Sequence, residues 1–386
     1  MFVGITNTPR DYSWGSTSAI AELLGTVPSG RPEAELWLGA HPGSPARLVH
    51  VGGQDTGDTL ADLAPRLPFL LKVLAAASPL SLQAHPTPEQ AVSGFAAENA
   101  AGVPLDAPER NYKDASAKPE ILYALSEEFR ALCGFRPVEE TRTLLLPVSG
   151  DERVAPLLER LVNDSSLRAT FEWLITRGEG VDELIAALVE TSAIANGLAW
   201  DTVRRLADSY RGDPGIAISL LMHTAVLRAG QVLYLPAGNI HAYLEGVGIE
   251  VMASSDNVLR GGLTPKHVDV PELLKVLDFR PLPLPLLLPE EPQPGVEVFR
   301  PDVPDFVLTV VSPDAAAAGT ASASTVVPLV GPAIALCTSG SVTLSGRGSD
   351  GYELRRGQSV YMADEPSLAV TGGGMLFVAC TGVIES

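Results

Sequence analysis

The sequence predicts a mainly β protein with an α-helical insertion and a further β-domain at its C-terminal end. Up to about residue 125, short apolar runs are interrupted by glycine and proline, which is typical of strands. Between Val138 and Leu227 apolar residues recur at helical spacing, and beyond residue 304 short alternating stretches return between glycine-rich turns. Because 386 residues exceed what one core usually supports, we expect two or three domains.

The first region predicts strands at residues 35–39 and 68–74, followed by one short helix. That helix begins after Thr87, which offers a capping hydroxyl. Pro88 occupies the first helical position and Gln90 lies three residues after the cap. We therefore expect the chain to leave a strand near residue 85 and to enter a helix at once.

The insertion carries a series of helical patterns that concentrate no histidine, cysteine or carboxylate at ligand spacing. Asp213 and Pro214 resemble a cap and a first-turn proline that open a last helix reaching Leu221. We expect this block to support the β portion. The other predicted helices cover residues 154–162, 166–176, 181–194 and 200–210.

Strand and turn patterns return at residue 228, where glycine and proline punctuate an extended pair and His241 begins the next strand. Eight prolines between Pro281 and Pro304 predict an extended connector. No histidine follows His267, so we expect a structural or oligomerising role for the C-terminal region. The predicted domains are residues 1–135 with 215–280 (first β-domain), 136–214 (inserted helical domain) and 281–386 (C-terminal β-domain after the connector).

Composition limits the partners. The net charge of -19 argues against nucleic acid, because phosphate backbones are bound by clustered lysine and arginine. Three cysteines in apolar surroundings predict buried free thiols. No secretory pattern is evident, so we expect a cytoplasmic protein without a membrane partner. We expect a monomer, with a weak dimer as the alternative.

Four residues in separate segments form a candidate metal site. Gln83 and His85 would project from the same face of one strand, and Glu120 and His241 would complete two nitrogen and two oxygen ligands. Two imidazoles favour zinc, whereas the carboxylate and the amide oxygen also suit manganese or iron. The set could close a structural site, or it could accept water or substrate as a fifth ligand.

Cationic side chains provide a second clue. Of 27 lysines and arginines only five are lysine, and four of these flank the candidate site, at Lys72, Lys113, Lys118 and Lys266. Lysine there would suit phosphate binding or proton transfer, although coincidence is the alternative. Near Gly261 and Gly262, Arg260 and Lys266 offer two cations to a phosphate. No nucleotide-binding glycine motif occurs, so the phosphate would belong to a small molecule.

Eight further motifs occur in order between about residues 10 and 270: DYSWG (11–15), AELWLGAHP (34–42), PFLLKVL (68–74), LSLQAHP (80–86), ERNYKD (109–114), KPE (118–120), GNIHAY (238–243) and SDNVLRGGLTPK (255–266). In these motifs the chain resembles the type I mannose-6-phosphate isomerases. The resemblance implies a cupin-type β-barrel (jelly roll) catalytic domain, an inserted helical domain and a C-terminal cupin-like β-domain. It also implies one zinc ion per chain on Gln83, His85, Glu120 and His241, with Arg260 as an active-site residue.

The implied reaction interconverts mannose 6-phosphate and fructose 6-phosphate through an enediol, and it requires a proton-transfer residue and a phosphate anchor. Glu250 is the first candidate for proton transfer, with Lys118 and Asp256 as rivals. The candidate substrate-binding residues are Lys266, Ser81, Lys72, Tyr243, Trp14 and Asn257.

Two other functions fit part of this pattern. A metal-dependent cupin oxygenase would use the same ligands but would leave Arg260 and the lysines without a role. A noncatalytic sugar-phosphate-binding protein would keep the cations and lack turnover.

Overall fold

The computed structural model describes residues 1–50, 53–313, 324–347 and 349–382. Within these ranges the protein is mainly β, as expected. The strands are β1 Phe2–Thr6, β2 Glu35–Leu38, β3 Arg47–Val49, β4 Asp55–Thr59, β5 Phe69–Ala76, β6 Gln83–Ala84, β7 Glu120–Ala124, β8 Glu128–Phe135, β9 Met222–Arg228, β10 Val232–Leu235, β11 His241–Ala253, β12 Leu259–Arg260, β13 Leu286–Leu287, β14 Glu290–Gln293, β15 Val296–Phe299, β16 Val307–Val311, β17 Thr325–Pro328, β18 Ala333–Gly346, β19 Ser349–Arg355, β20 Ser359–Met362 and β21 Ser367–Cys380.

The helices concentrate between β8 and β9, where the sequence predicts the insertion. The α-helices are α1 Ala19–Leu24, α2 Leu60–Leu63, α3 Pro88–Ala100, α4 Val138–Leu144, α5 Ala155–Arg160, α6 Leu167–Ile175, α7 Val181–Ser192, α8 Leu198–Ser209, α9 Gly215–Ile218 and α10 Val270–Val276. Short 3-10 turns cover Leu146–Val148, Asp164–Ser166 and Ser219–Leu221. Each predicted helix of the insertion is confirmed to within a few residues at its ends. Asp213 accepts the Gly215 N–H at 2.7 Å, as a capping residue would.

Two antiparallel sheets organise the strands. The site sheet runs β12-β6-β11-β7-β10-β13, with β5 and β8 also paired to β11, β2 to β5 and β9 to β8. The C-terminal sheet runs β14-β15-β16-β21-β18-β20-β1-β3-β4, with β17 on β21 and β19 on β18.

The start of the chain contributes to the C-terminal sheet. Gly4 in β1 lies opposite Val360 on one side and Val49 on the other, so β1, β3 and β4 extend a sheet whose remaining strands follow residue 290. Alternation within the first strands could not reveal this, because partner choice depends on side-chain packing across the fold. The predicted domain boundaries stay a prediction. They did not include the pairing of strands from the start of the chain with the C-terminal sheet.

The proline-rich segment is not a plain connector. It contains β13, which pairs with β10 of the site sheet, and β14 and β15, which begin the C-terminal sheet. Pro292 lies in β14, at the edge of that sheet, where a missing N–H can face away from the partner strand. The extended connector stays a prediction, and parts of the segment pair with strands of both sheets.

Two apolar cores position the site. The core between the sheets joins Leu36 and Phe69 to Phe299 and Phe377, all at most 4% exposed. A second core packs the helical insertion against the site sheet at Leu82 and Ala84, which directly flank Gln83. The three cysteines are buried and free, as predicted. Among the described residues, none of the helices has the length and apolar character needed to cross a membrane.

Candidate metal centre and cavity

Strand register brings the candidate ligands together. Gln83 in β6 lies opposite His241, the first residue of β11, and on its other side it lies opposite Arg260 in β12. Glu120 begins β7, which pairs with the far part of β11 and places Glu120 opposite Met252. Residues that are far apart in sequence therefore meet across one sheet.

His85 is held by the turn that joins β6 to α3. Thr87 Oγ1 accepts the Gln90 N–H at 3.2 Å, and Gln90 Oε1 accepts the Thr87 N–H at 2.9 Å, which confirms the predicted capping box. The carbonyl of His85 accepts the Gly238 N–H at 2.8 Å. The main chain at His85 is thus fixed on both sides.

Three buried ligand atoms converge, one each from His85, Glu120 and His241, all within 4.8 Å of one another. His85 Nδ1 lies 2.7 Å from the Asn257 carbonyl and His241 Nδ1 lies 3.1 Å from the Asn239 carbonyl. Since a carbonyl only accepts, both Nδ1 atoms carry hydrogen, and both Nε2 lone pairs are available. Among the described residues, the two Nε2 atoms and Glu120 Oε2 have no hydrogen-bond partner, which fits a metal-binding site.

The charges around these ligands suit a divalent cation. Burial, and to a smaller extent the nearby His85, lowers the pKa of His241 to about 4, while burial also lowers the pKa of His85. Burial opposes ionisation of Glu120, but the Lys118 ammonium, 2.7 Å from Oε1, and His85 hold its pKa well below the usual range. Two neutral imidazoles and one carboxylate therefore face the centre, which is the protonation state that metal binding requires.

A second buried cluster adjoins this centre. Glu250 lies opposite Lys72 in the β5–β11 register, with Lys72 Nζ 3.0 Å from Glu250 Oε2 and 3.7 Å from Glu35 Oε1. The Tyr243 hydroxyl donates to Glu250 Oε1 at 2.9 Å. Burial raises the pKa of Glu250, whereas Lys72 acts in the opposite direction. Despite its burial, the pKa of Lys72 is raised by the Glu250 and Glu35 carboxylates, so Lys72 keeps its charge.

A cavity of about 1210 Å³ opens over both clusters. It is large enough for a small phosphorylated molecule, and its wall contains most of the predicted functional residues. Those residues are Trp14, Lys72, Ser81, Gln83, Lys118, Glu120, Tyr243, Glu250, Asp256, Arg260 and Lys266. His85 and His241 lie beneath this wall and are fully buried.

Asn257 is the predicted substrate-binding residue that does not line the cavity. It is fully buried, and its Nδ2 donates to the carbonyls of Asp114 and Ser116 at 2.9 Å. Its Oδ1 accepts the Lys113 N–H at 2.7 Å. The Asn257 side chain therefore organises a turn, and its main-chain carbonyl orients His85.

Cationic groups line another part of the cavity wall. Arg260 donates to Ser81 Oγ at 2.6 Å. The charge of Arg260, and to a smaller extent burial, lowers the pKa of Lys266, while burial lowers the pKa of Arg260. Two cations that disfavour each other's charge form a suitable site for a dianion, which would relieve the repulsion.

The helical insertion fixes the loop that carries these cations. Asp213 Oδ1 accepts the Leu263 N–H at 2.8 Å, and Leu263 has a left-handed φ of 53°. A Cβ on the neighbouring Gly262 would lie 3.2 Å from this same carboxylate oxygen. Asp213 thus holds an unusual loop conformation, a role that its sequence context as a helix cap did not reveal.

Sequence reasoning also missed several side chains in the cavity wall, among them Glu35, Trp37 and Tyr210. Trp37 Nε1 donates to Glu35 Oε2 at 2.9 Å, and Lys72 Nζ lies 5.0 Å from the centre of the Trp37 ring. A glutamate inside the apolar run of β2 is a signal that could have identified Glu35. Tyr210 follows α8, and its hydroxyl donates to the Pro79 carbonyl at 2.7 Å. No local pattern connects Tyr210 to the cavity.

The fold and this site define a β-sheet protein with a candidate metal centre beside a cavity whose wall carries the cations Arg260 and Lys266. Residues 2–138 match the family model of the phosphomannose isomerase type I catalytic domain. A mannose-6-phosphate isomerase of Escherichia coli (strain K12) is 37% identical over 390 residues, covering 96% of this chain and 97% of that protein. The Homo sapiens mannose-6-phosphate isomerase is 34% identical, covering 78% and 79%.

Solved structures agree with these relatives over nearly the whole chain. The crystal structure of a zinc-bound mannose 6-phosphate isomerase superposes with a TM-score of 0.88 at 35% identity, covering 99% of this chain and 100% of that one. A mutant of phosphomannose isomerase from Salmonella typhimurium gives a TM-score of 0.89 with the same identity and coverage. The chain belongs to the type I phosphomannose isomerase family.

Proposed function

We propose that the chain interconverts D-mannose 6-phosphate and D-fructose 6-phosphate with one zinc ion per chain. The main observation is the group of His85, Glu120 and His241, whose buried ligand atoms converge beside a cavity with two cations in its wall. The reaction named for the relatives is an aldose–ketose isomerisation. It requires an electrophile, a phosphate anchor and a proton-transfer group, and this cavity supplies candidates for all three.

Gln83, His85, Glu120 and His241 would hold the zinc. The ion would act as a Lewis acid toward the sugar oxygens at C1 and C2. Donation from Nδ1 of each histidine to a main-chain carbonyl fixes the ring orientation and keeps Nε2 available. The Lys118 ammonium keeps Glu120 ionised and so preserves its capacity to bind a cation.

Arg260, Lys266 and Ser81 would anchor the phosphate. Ser81 already accepts a hydrogen bond from Arg260, and its hydroxyl hydrogen can still be donated to a phosphate oxygen. A phosphate on these groups would restrict the position of the sugar carbons relative to the metal centre. Binding energy from this remote group would thereby be used for orientation.

The proton between C1 and C2 has three candidate carriers. Glu250, the first candidate from sequence, uses Oε2 for Lys72 and Oε1 for the Tyr243 hydroxyl. The Lys118 ammonium is engaged in an ion pair with Glu120, with 2.7 Å between Nζ and Oε1. Asp256 is half-exposed in the cavity wall, and only its Oδ2 has a side-chain partner among the described residues. The geometry therefore favours Asp256 over Glu250 as the group that moves the proton, with Glu250 holding Lys72 and Tyr243 in place.

Several finer features belong to the same proposal. The site sheet would be a cupin-type barrel, and the predicted boundaries would separate it from the helical insertion and a cupin-like C-terminal domain. A monomer in the cytoplasm remains the expected state of the chain.

A coupled assay that detects fructose 6-phosphate from mannose 6-phosphate tests the proposed function. We expect turnover, its loss after exhaustive chelation, and its recovery when zinc is restored. Persistent activity after verified removal of metal would contradict the zinc requirement. Oxygen consumption without isomerisation would support an oxygenase instead, and tight mannose 6-phosphate binding without turnover would support a binding protein.

A further inference from the structure

His41 lies at the edge of the cavity and contacts Asp256. Its Nε2 is 3.2 Å from Asp256 Oδ2, and the ring is buried at 6% exposure, whereas the aspartate side chain is 52% exposed. In the sequence, His41 lies in the motif AELWLGAHP (34–42). Both side chains line the cavity, so the contact belongs to the functional region.

The hydrogen bonds around the His41 imidazole determine which of its two nitrogens is the donor. His41 Nδ1 accepts the Gly43 N–H at 3.1 Å, so this nitrogen carries a lone pair and the hydrogen of the neutral ring is on Nε2. Nε2–H therefore donates to Asp256. The ring packs edge-on against Trp37, with 5.0 Å between centroids and an interplanar angle of 89°. The donor is thus held in both position and orientation.

Asp256 is fixed from a second direction through its main chain. The Asp256 N–H donates to Asp114 Oδ2 at 2.9 Å, and the Ser255 hydroxyl donates to the same carboxylate. With its backbone held and Oδ2 hydrogen-bonded to His41, the aspartate has little rotational freedom. Within the part of the chain that the structure describes, its Oδ1 has no side-chain partner and is left for a ligand. Burial acts to raise the pKa of Asp256, but the His41 hydrogen bond, Lys118 and Lys72 outweigh it and lower the pKa.

We propose that His41 is a positioning residue that orients the Asp256 carboxylate toward the sugar in the cavity. This inference rests on the proposed function, because it assigns the orientation of one of its proton-transfer candidates. His41 does not itself need to touch the substrate. Its contribution is to remove the rotation of a half-exposed carboxylate before the substrate binds.

Two substitutions separate this role from simple packing. His41→Phe keeps a ring against Trp37 but removes the donor to Asp256, whereas His41→Gln keeps an N–H donor near the position of Nε2. We expect His41→Phe to lower kcat about 10- to 100-fold with KM changed less than about threefold, because misplacing a reacting group affects turnover more than binding. We expect His41→Gln to recover at least about half of this loss on a logarithmic scale. His50→Phe, at an exposed histidine, is the matched control and should retain full turnover.

A double-mutant cycle with Asp256→Ala tests whether His41 acts through Asp256. We expect His41→Phe to have little further effect on kcat in the Asp256→Ala protein, because residues that act as a unit are not additive. Equal losses from His41→Phe in both backgrounds would overturn the proposal. So would equal kcat values for His41→Phe and His41→Gln in folded protein with full zinc content.

Nitrogen-15 NMR of the imidazole provides a readout that does not need turnover. We expect the Nε2–H tautomer for His41 and a shift of this signal in Asp256→Ala. An Nδ1–H tautomer, or a signal unaffected by Asp256→Ala, would overturn the proposal. Absence of isomerase activity in the wild-type protein would instead contradict the proposed function, while the NMR result would still decide whether the contact exists.

Discussion

The site sheet and the C-terminal sheet are both built from antiparallel strands, yet their interiors differ. The site sheet buries charged or titratable side chains, among them Lys72, Glu120 and Glu250. The main C-terminal core contains valine, leucine, alanine, methionine and cysteine, with Leu344 and Met362 fully buried. The same alternation of side chains along the strands therefore supports either a polar, reactive centre or an apolar core. The difference lies in which inward positions carry polar groups and whether those groups have partners.

The largest test of this contrast removes a ligand from the site sheet. We expect His241→Ala to lose bound zinc and to reduce kcat/KM about a thousandfold or more, because Lewis-acid assistance contributes several kcal/mol to the barrier. Metal analysis and the coupled assay measure these effects. His223→Ala changes a histidine of β9 that lies outside the cavity wall, and it should retain zinc and activity. Full activity in His241→Ala would show that this histidine is not needed to bind the metal.

A second test breaks the buried ion cluster. Lys72→Met should lower the free energy of unfolding by about 3–5 kcal/mol, because Glu250 and Glu35 would lose the cation that compensates their burial. Urea unfolding measures the loss. The double variant Lys72→Met with Glu250→Gln should recover part of it, since the amide carries no charge. An unchanged unfolding curve for Lys72→Met would show that the cluster contributes little to stability.

The matching change in the C-terminal sheet should affect stability alone. Leu344→Ala removes a fully buried side chain and should lower the free energy of unfolding by about 2–5 kcal/mol. At a temperature where the variant is folded, we expect zinc content and kcat close to the wild-type values. A selective loss of kcat in folded Leu344→Ala would show that the C-terminal core participates in the reaction, and the contrast between the sheets would then weaken.

The smallest expected effect concerns the phosphate anchor. Lys266→Ala should raise KM for mannose 6-phosphate about tenfold, which is the size of one exposed charge-assisted contact, with a smaller change in kcat. Lysine binds phosphate in its charged form, which is lost as pH rises through its pKa, and Arg260 lowers this pKa. The KM of the wild-type protein should therefore begin to rise at a lower pH than it would if Lys266 had the pKa of an ordinary lysine. Lys266→Ala should lack this part of the pH profile, and an unchanged KM would contradict the assignment.

Local patterns predicted the elements that depend on near neighbours in the chain. The capping box at Thr87 and the helices of the insertion are confirmed because capping and helical periodicity involve residues three or four positions apart. The metal ligands could be proposed because the sequence predicted Gln83 and His85 on one strand face and because Glu120 and His241 complete a suitable set of ligand atoms, a set that the family resemblance also implies. The pairing of β1 with β20 joins residues 354 or more positions apart in sequence, for example Ile5 and Ser359, and no local pattern encodes it.

The charged residues illustrate the same division. The sequence identified Lys72, Glu250 and Asp256 as candidates near one pocket, but it favoured Glu250 for proton transfer because a buried carboxylate has a raised pKa. Only the structure shows that both oxygens of Glu250 are engaged, by Lys72 and Tyr243, while Asp256 keeps one oxygen for a ligand. Hydrogen-bond occupancy depends on the positions of distant segments, so residue type alone could not rank the candidates.

By itself, the sequence determined the mainly β character of the chain, its helical insertion, the ligand chemistry of the metal centre and the presence of a cationic pair. These properties follow from residue type, short spacing and motif. The tertiary structure decided that β1 joins the C-terminal sheet, that Asn257 organises a turn instead of the cavity, and that His41 orients Asp256. Such outcomes depend on which surfaces pack together across the whole fold, since burial and hydrogen-bond partners are set only when distant segments meet.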